Sequence, residues 1–93
     1  MGISIQIPTP LRAYTGDTGE IEVDANTVGD AMRGLVGAHS ALEPHLYGDD
    51  GKLRSFVNLF LNDEDVRYLE QENTPVKDGD TLTIIPSIAG GSR

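Results

Sequence analysis

Two stretches near the start of the chain alternate apolar and polar residues. Residues 3–7 carry isoleucine at every second position. In residues 20–24 the apolar residues Ile21 and Val23 alternate with acidic residues. A period of two is typical of a β-strand that buries one face. Pro8 and the turn-like stretch Thr15–Gly19 lie between the two strands, so the pattern predicts a β-hairpin with a long loop.

A helical period replaces the alternation between Thr27 and His39. The apolar positions follow the spacing of one buried helix face, and they are Val28, Ala31, Met32, Leu35 and Val36. Thr27 is a suitable N-cap, and Asp30 places a carboxylate near the positive end of the helix. Leu42 and Leu46 predict a further short helical turn packed under the next loop.

Three more strands are predicted in the second half of the chain. Phe56–Leu61 has the strongest pattern, and Val66–Tyr68 is predicted as a short strand after a turn at Asn62–Asp65. Thr81–Ile85 follows a second turn, in which Gly79 is free to adopt a positive φ. The order β, β, α, β, β, β predicts an α+β fold, in which one main helix packs across one face of a mixed sheet of about five strands.

The strand pattern also predicts one exposed apolar pair. If the alternating apolar residues of the third and fifth strands face the helix, Phe60 and Ile85 project from the opposite face of the sheet. Such a pair serves either as a contact for a partner protein or as ordinary surface hydrophobicity. The first and last strands both carry the alternation expected of central strands, and we expect them to pair side by side.

The end of the chain differs from the rest. A domain over residues 1–86 is followed by a tail, 87–93, which we expect to be flexible and which contains Gly90 and Gly91. Glycine lacks a Cβ, so this pair fits a channel too narrow for a side chain, while it adds little to a core. Either another protein reads or modifies this end, or the tail is an ordinary frayed terminus.

The composition narrows the classes of partner. The 93 residues make one domain, with 15 acidic against 7 basic residues and a net charge of −8. This balance disfavours nucleic acid and anionic membranes, both of which attract basic proteins. The acidic surface serves solubility or steers the chain toward a basic partner. We expect a cytoplasmic protein, since the sequence has neither a leader pattern nor a long apolar run.

No catalytic or metal-binding constellation is apparent. The absence of cysteine excludes disulfides, thiolate nucleophiles and cysteine-ligated metals. His39 and His45 lack a third ligand at a metal-binding spacing, and Asp63–Asp65 lacks the spacing of a calcium loop. We therefore interpret the histidines as helix-terminating or exposed residues and the carboxylates as an acidic turn, and we expect no metal.

Four stretches together resemble the MoaD/ThiS family of ubiquitin-like sulfur carriers. They are Ile7–Arg12, Phe56–Arg67, Asp78–Pro86 and Ser87–Gly91, and the likeness extends over nearly the whole chain. The resemblance implies a β-grasp, ubiquitin-like fold. Within the family, these stretches are most similar to the branch that serves cysteine biosynthesis in actinobacteria.

The resemblance also implies a defined chemistry at Gly91. In this family an E1-like adenylyltransferase and sulfurtransferase activates the terminal glycine carboxyl with ATP, and a sulfur donor displaces AMP to leave a thiocarboxylate. Pro86, Ile88, Ala89 and Gly90 would then be the residues by which the tail is recognised. The chain would be a protein-borne sulfur donor rather than an enzyme, with no cofactor of its own.

For a carrier of the cysteine branch, the resemblance implies two further partners. A cysteine synthase that depends on pyridoxal phosphate would accept the sulfur, and a metalloprotease would act on the carrier end. One feature departs from the family, because mature carriers end at the second glycine and this chain continues with Ser92 and Arg93. We expect a protease to cleave between Gly91 and Ser92 and so remove these two residues before sulfur loading, unless they are an artificial addition.

Three other functions remain open for the same sequence. A small subunit of molybdopterin synthase would use the same thiocarboxylate, whereas a ubiquitin-like modifier would join Gly91 to lysines of other proteins. A static β-grasp binding module would not use the tail, and would keep its function without Gly90 and Gly91.

Overall fold

The computed structural model describes residues 2–54 and 57–86. A five-stranded mixed sheet forms one layer of the protein, and its strands are β1 (Ile3–Gln6), β2 (Glu20–Val23), β3 (Val57–Leu61), β4 (Glu64–Asp65) and β5 (Thr81–Pro86). Their order across the sheet is β2-β1-β5-β3-β4.

The last strand of the chain occupies the centre of the sheet. β5 pairs in parallel with β1, with Leu82 opposite Ile5, and antiparallel with β3, with Ile84 opposite Leu59. The predicted pairing of the first and last strands is therefore confirmed. The alternation in these strands suits this position, because a central strand must bury one face along its length.

The helices cover one face of the sheet. They are α1 (Val28–Ala38), the short α2 (Glu43–Leu46), and 3-10 helices at Thr9–Thr15, Ser40–Leu42, Val66–Tyr68 and Gln71–Asn73. The backbone N–H of Asp30 donates to the hydroxyl oxygen of Thr27 at 3.1 Å, which confirms the predicted N-cap. α1 ends at Ala38, just before His39, as predicted. Among residues 2–54 and 57–86, no helix is long and apolar enough to cross a membrane.

The core lies between α1 and the inner face of the sheet. The predicted short helical turn is present, and its Leu42 and Leu46 are fully buried in the core. Each large apolar side chain buried in this way contributes about 1.5–3 kcal/mol. The other core side chains are Ile3, Ile5, Ile7, Val28, Ala31, Met32, Leu35, Val57, Leu59, Leu61, Val66, Leu82 and Ile84.

One predicted strand is wrong. Val66–Tyr68 forms a 3-10 helix, and the edge strand is instead the two-residue β4. Asn62 and Asp63 both adopt a positive φ, of 51° and 76°, and so close a tight hairpin that begins β4 earlier than predicted. The Asp65 carboxylate then accepts from the Arg67 backbone N–H at 2.9 Å, which starts the 3-10 turn.

Candidate functional site

The central strand determines where the tail begins. Pro86 ends β5 and lies opposite Val57, the first residue of β3. Proline has no backbone N–H, so it cannot continue the ladder as a donor. The predicted tail-recognition residues Ile88, Ala89 and Gly90, and the predicted processing site at Gly91 and Ser92, lie outside the described residues.

The remaining predicted site residues, Phe60 and Ile85, lie on the outer face of the sheet, away from α1. Directly paired residues of neighbouring strands share a face, and Phe60 is opposite Thr83 while Ile85 is opposite Asn58. Phe60 is half-buried and Ile85 is 44% exposed. Ile85 is one residue before the end of β5, and Phe60 is opposite Thr83, three residues before that end, so the two side chains are diagonal neighbours on adjacent strands.

Polar side chains surround this apolar pair. The outer face is defined here by the residues that share it across β2, β1, β5 and β3: Ser4, Gln6, Glu20, Glu22, Asn58, Phe60, Thr81, Thr83 and Ile85. At the β2 edge the Gln6 amide donates to the Glu20 carboxylate at 3.3 Å. An apolar centre with a polar rim is the usual anatomy of a surface that binds protein.

A forked ion pair forms the other rim of the outer face. Asp65 lies opposite Phe60, and the Arg67 guanidinium donates to it through Nε, at 3.2 Å to each carboxylate oxygen, and through Nη2 at 2.7 Å. The hydrogen bond from the Arg67 side chain, with a further one from its backbone, lowers the pKa of Asp65. The pair therefore stays charged in place beside Phe60 at neutral pH.

Two exposed tyrosines were not predicted as site residues. Tyr68 is 85% exposed beside Arg67. The exposure of the Tyr68 side chain could not be predicted from strand alternation, because Val66–Tyr68 forms a 3-10 helix and not the predicted strand. Tyr14 stacks on His45 with ring centroids 4.2 Å apart, which ties the first 3-10 helix to α2. Within residues 2–54 and 57–86, no group of three or more histidine or acidic side chains is placed to hold a metal ion.

Comparison with known proteins identifies the family. A family model described as the ThiS family matches residues 5–91. Sulfur carrier protein CysO of Mycobacterium tuberculosis is 38% identical over 93 residues, which covers 98% of this chain and all of that protein. Small archaeal modifier protein 1 of Haloferax volcanii is 41% identical over 75 residues, covering 80% of this chain and 82% of that one.

A solved structure agrees with these sequence matches. The crystal structure of the BexX/CysO complex of Amycolatopsis orientalis contains a chain that matches with a TM-score of 0.85 at 39% identity, covering 96% of this chain and 99% of that chain. The match confirms the predicted β-grasp fold. The chain belongs to the ThiS family of ubiquitin-like proteins, and the two relatives compared by sequence are a sulfur carrier protein and a small archaeal modifier protein.

Proposed function

We propose that this chain is a sulfur carrier whose carboxyl group at Gly91 is activated by a partner enzyme and converted to a thiocarboxylate. The match to the ThiS family over residues 5–91 carries the proposal, because it extends through both glycines of the tail. The full-length similarity to CysO supports the same conclusion.

The activating partner is proposed to be an E1-like adenylyltransferase and sulfurtransferase. It would dock on the outer face, where Phe60 and Ile85 supply an apolar contact next to the start of the tail. Pro86, Ile88, Ala89 and Gly90 would lie along a narrow channel. The five residue steps from Pro86 to Gly91 span at most about 17 Å when the chain is extended.

The proposed chemistry proceeds in two steps on the partner. A Gly91 carboxylate oxygen attacks the α-phosphorus of ATP and releases pyrophosphate. The acyl carbon of Gly91 then carries AMP, which is a good leaving group, in place of a carboxylate oxygen, which is a poor one. A sulfide donor then attacks the acyl carbon, the bond to AMP breaks, and the thioacid loses its proton. The sulfur anion is a stronger nucleophile than the oxygen it replaces. The chain needs no cysteine for this task, because the sulfur resides on its main-chain carboxyl.

The proposed acceptor pathway is cysteine biosynthesis. The similarity to CysO supports it, with a pyridoxal phosphate-dependent cysteine synthase as the sulfur acceptor and a metalloprotease that processes the carrier end. Since activation consumes ATP, we propose the cytoplasm as its compartment. Ser92 and Arg93 would have to be removed first, because a channel shaped for glycine does not admit an arginine side chain.

The decisive experiment compares three lengths of the chain, ending at Arg93, Gly91 or Gly90. Each would be incubated with ATP, sulfide and the E1-like enzyme of the same genome, and analysed by intact mass. We expect replacement of one oxygen by sulfur only in the chain that ends at Gly91. The chain ending at Gly90 tests whether the modified carboxyl must be that of Gly91. If the full-length chain, verified as uncleaved, gained sulfur as readily as the chain ending at Gly91, the proposed processing step would be contradicted.

A second candidate function is that of a ubiquitin-like protein modifier. The 41% identity to small archaeal modifier protein 1 favours it. The same adenylate would serve both functions and only the nucleophile would differ, sulfide for a carrier and a lysine amine for a modifier. Isopeptide-linked adducts of the Gly91 carboxyl in cells of the native host would identify the modifier, whereas a free chain bearing thiocarboxylate would identify the carrier.

A further inference from the structure

The second strand lies at one end of the sheet and has an open side. β2 pairs antiparallel with β1, with Ile5 opposite Ile21, and no strand lies on its other side in the described part of the chain. We call this other side the β2 edge, and it extends over residues 20–23. β1 separates it from β5 and β3, which carry the apolar pair of the outer face.

The hydrogen-bond ladder shows which backbone groups face the β2 edge. The Ile7 N–H donates to the Gly19 carbonyl at 2.8 Å, so the odd-numbered residues along β2 direct their N–H and C=O groups toward β1. Glu20 and Glu22 therefore direct theirs away from β1. Among residues 2–54 and 57–86, no group hydrogen bonds to the backbone of Glu20 or Glu22. An edge with free backbone groups is a template for pairing with another segment.

The apolar residues of β2 are incompletely covered. In β1, β3 and β5, the apolar side chains that face the helices are at most 8% exposed. Ile21 and Val23 face the same way but are only half-buried. Since β1 covers them from one side only, an extended segment added at the β2 edge would remove more of their apolar surface from water.

The neighbouring helix leaves room for such a segment. Gly34 of α1 is exposed, and a Cβ built on it would lie 3.7 Å from the Val23 side chain. Gly37 is also exposed, and a Cβ built there would have nothing within 4 Å. Residues three apart lie on the same side of a helix, so α1 has two positions without a side chain on the side that approaches Val23.

The opposite face of the β2 edge is acidic. Glu20 and Glu22 are exposed on the outer face, where they lie opposite Gln6 and Ser4. Glu20 accepts a hydrogen bond from the Gln6 amide at 3.3 Å, and the Glu22 carboxylate has no partner in the described ranges. Opposite charges attract when they face each other on paired strands, and like charges repel. Basic residues aligned with the two glutamates would therefore stabilise an added strand.

The same charges disfavour a second copy of the chain at this edge. Only the even-numbered residues direct backbone groups to the β2 edge, so antiparallel pairing of two copies would place glutamate opposite glutamate. The net charge of −8 adds to the repulsion between copies. The β2 edge is thus complementary to a segment of the opposite charge.

We propose that the β2 edge binds an extended segment of a partner protein in which basic residues alternate with apolar residues. The segment would accept hydrogen bonds from the N–H groups of Glu20 and Glu22 and donate to their carbonyls, as in strand addition. Its basic side chains would face the two carboxylates, and its apolar side chains would cover Ile21 and Val23. None of these residues belongs to the tail or to the apolar pair, so the proposal does not rest on sulfur carriage.

The first test uses the isotope-labelled full chain and two synthetic peptides of about six residues, one alternating lysine with valine and the other glutamate with valine. In the free chain, amide hydrogen exchange should be fast at Glu20 and Glu22 and slower at Ile21 and Val23, whose N–H groups face β1. We expect the lysine peptide, at up to about 1 mM, to slow exchange at both glutamates and to shift their amide resonances. The glutamate peptide is expected to bind more weakly.

Methylation of peptide nitrogens tests whether the lysine peptide pairs as a strand. One methylated form carries the methyl groups on its lysine nitrogens, and another carries them on its valine nitrogens. Alternate residues of a strand direct their N–H groups to opposite sides, so one set alone faces β2: the lysines in an antiparallel pairing and the valines in a parallel one. We expect one methylated form to lose binding and the other to keep it, and equal binding by both would contradict strand addition.

The chain offers a matched pair of variants on the two outermost strands. Glu22→Lys reverses a charge at the β2 edge, and Glu64→Lys makes the same change on β4, at the opposite end of the sheet. Both residues are exposed, so both variants should fold, which their spectra without peptide would verify. We expect Glu22→Lys to weaken binding of the lysine peptide about fivefold or more, and Glu64→Lys less than about twofold.

Other outcomes would also overturn the proposal. Absence of binding at about 1 mM lysine peptide would mean that the glutamates only protect the edge from aggregation. Equal weakening by the two variants, or shifts centred on Phe60 and Ile85, would place the peptide elsewhere. Exchange at Glu22 that slows with rising protein concentration, without peptide, would show that a second copy of the chain occupies the β2 edge.

Discussion

At the scale of single residues, two carboxylates are held in their charged form by specific donors. Asp65 accepts the Arg67 fork, and Asp80 accepts from the Asn62 amide at 3.0 Å and from the Lys77 backbone N–H at 3.0 Å. These hydrogen bonds lower the pKa of both groups, with the bonds from Arg67 and Asn62 as the largest causes. Both carboxylates also stabilise a turn, so their ionisation is coupled to folding.

This coupling predicts the pH dependence of stability. A carboxyl with a lowered pKa in the folded chain stabilises it fully above the unfolded pKa of about 3.9, and that stabilisation is lost as the pH falls through the folded pKa. We therefore expect the free energy of unfolding, measured with urea, to decrease below about pH 4. Asp65→Asn should flatten the decrease while keeping an oxygen that can accept from Arg67. Asp49→Asn, in an exposed loop, is the control, and an equal effect of both would contradict the assignment.

A second prediction concerns the exposed apolar pair. Ile85→Asp places a charge at the centre of the outer face, where an activating enzyme would have to bury it unpaired. In the chain that ends at Gly91, we expect thiocarboxylate formation at low carrier concentration to slow by about tenfold or more. Ser40→Asp, an exposed position at the start of the 3-10 helix Ser40–Leu42 on the helical side of the sheet, is the control and should change the rate little. Equal rates for Ile85→Asp and the unmodified chain would exclude this residue from the docking surface.

At the scale of elements, two of the three glycines of α1 lie in different surroundings. A Cβ at Gly34 would lie 3.7 Å from the Val23 side chain, an ordinary contact. A Cβ at Gly29 would lie 3.2 Å from both the Glu72 carbonyl oxygen and its Cβ, where the 3-10 helix at Gln71–Asn73 approaches. A Cβ at Gly29 would therefore be crowded against Glu72, whereas Gly34 has room for one and only weakens the helix.

The two glycines make a matched test. Gly34→Ala should raise the free energy of unfolding by about 0.5–1 kcal/mol, since alanine is the better helix former. Gly29→Ala gains the same propensity but must push Glu72 away, so we expect it to be neutral or destabilising. Urea denaturation of both variants measures the difference, and equal stabilisation would show that the contact at Gly29 is loose.

The elements that the sequence predicted well are those with a sustained period. Residues 3–7, α1 and β5 each show several apolar residues at the spacing of their element. The alternation of side chains along β3 and β5 was enough to predict that Phe60 and Ile85 lie on the same face of the sheet. The 3-10 helix at Val66–Tyr68 was mistaken for a strand because three residues show no period. The position of β4 was not predictable for a related reason: it depends on the positive φ of Asn62 and Asp63, which closes the hairpin early.

At the scale of the whole molecule, the net charge of −8 bears on how the chain would associate with the proposed activating enzyme. If a basic surface steers the encounter, raising the salt from about 50 to 500 mM should lower the association rate about tenfold and leave the dissociation rate nearly unchanged. Stopped-flow fluorescence with a labelled enzyme measures both rates. An association rate that does not depend on salt would mean that the acidic surface serves only solubility.

The central position of β5 has a consequence for how the protein is made. Until this strand enters, β1 and β3 have no partner in the middle of the sheet, so the nascent chain on the ribosome holds two unjoined halves. The segment that closes the sheet is also the one that leads into the tail. A chain that terminates before β5 therefore lacks both the strand that joins the two halves of the sheet and the segment that follows it, and a partner that engages the outer face would select for completed molecules.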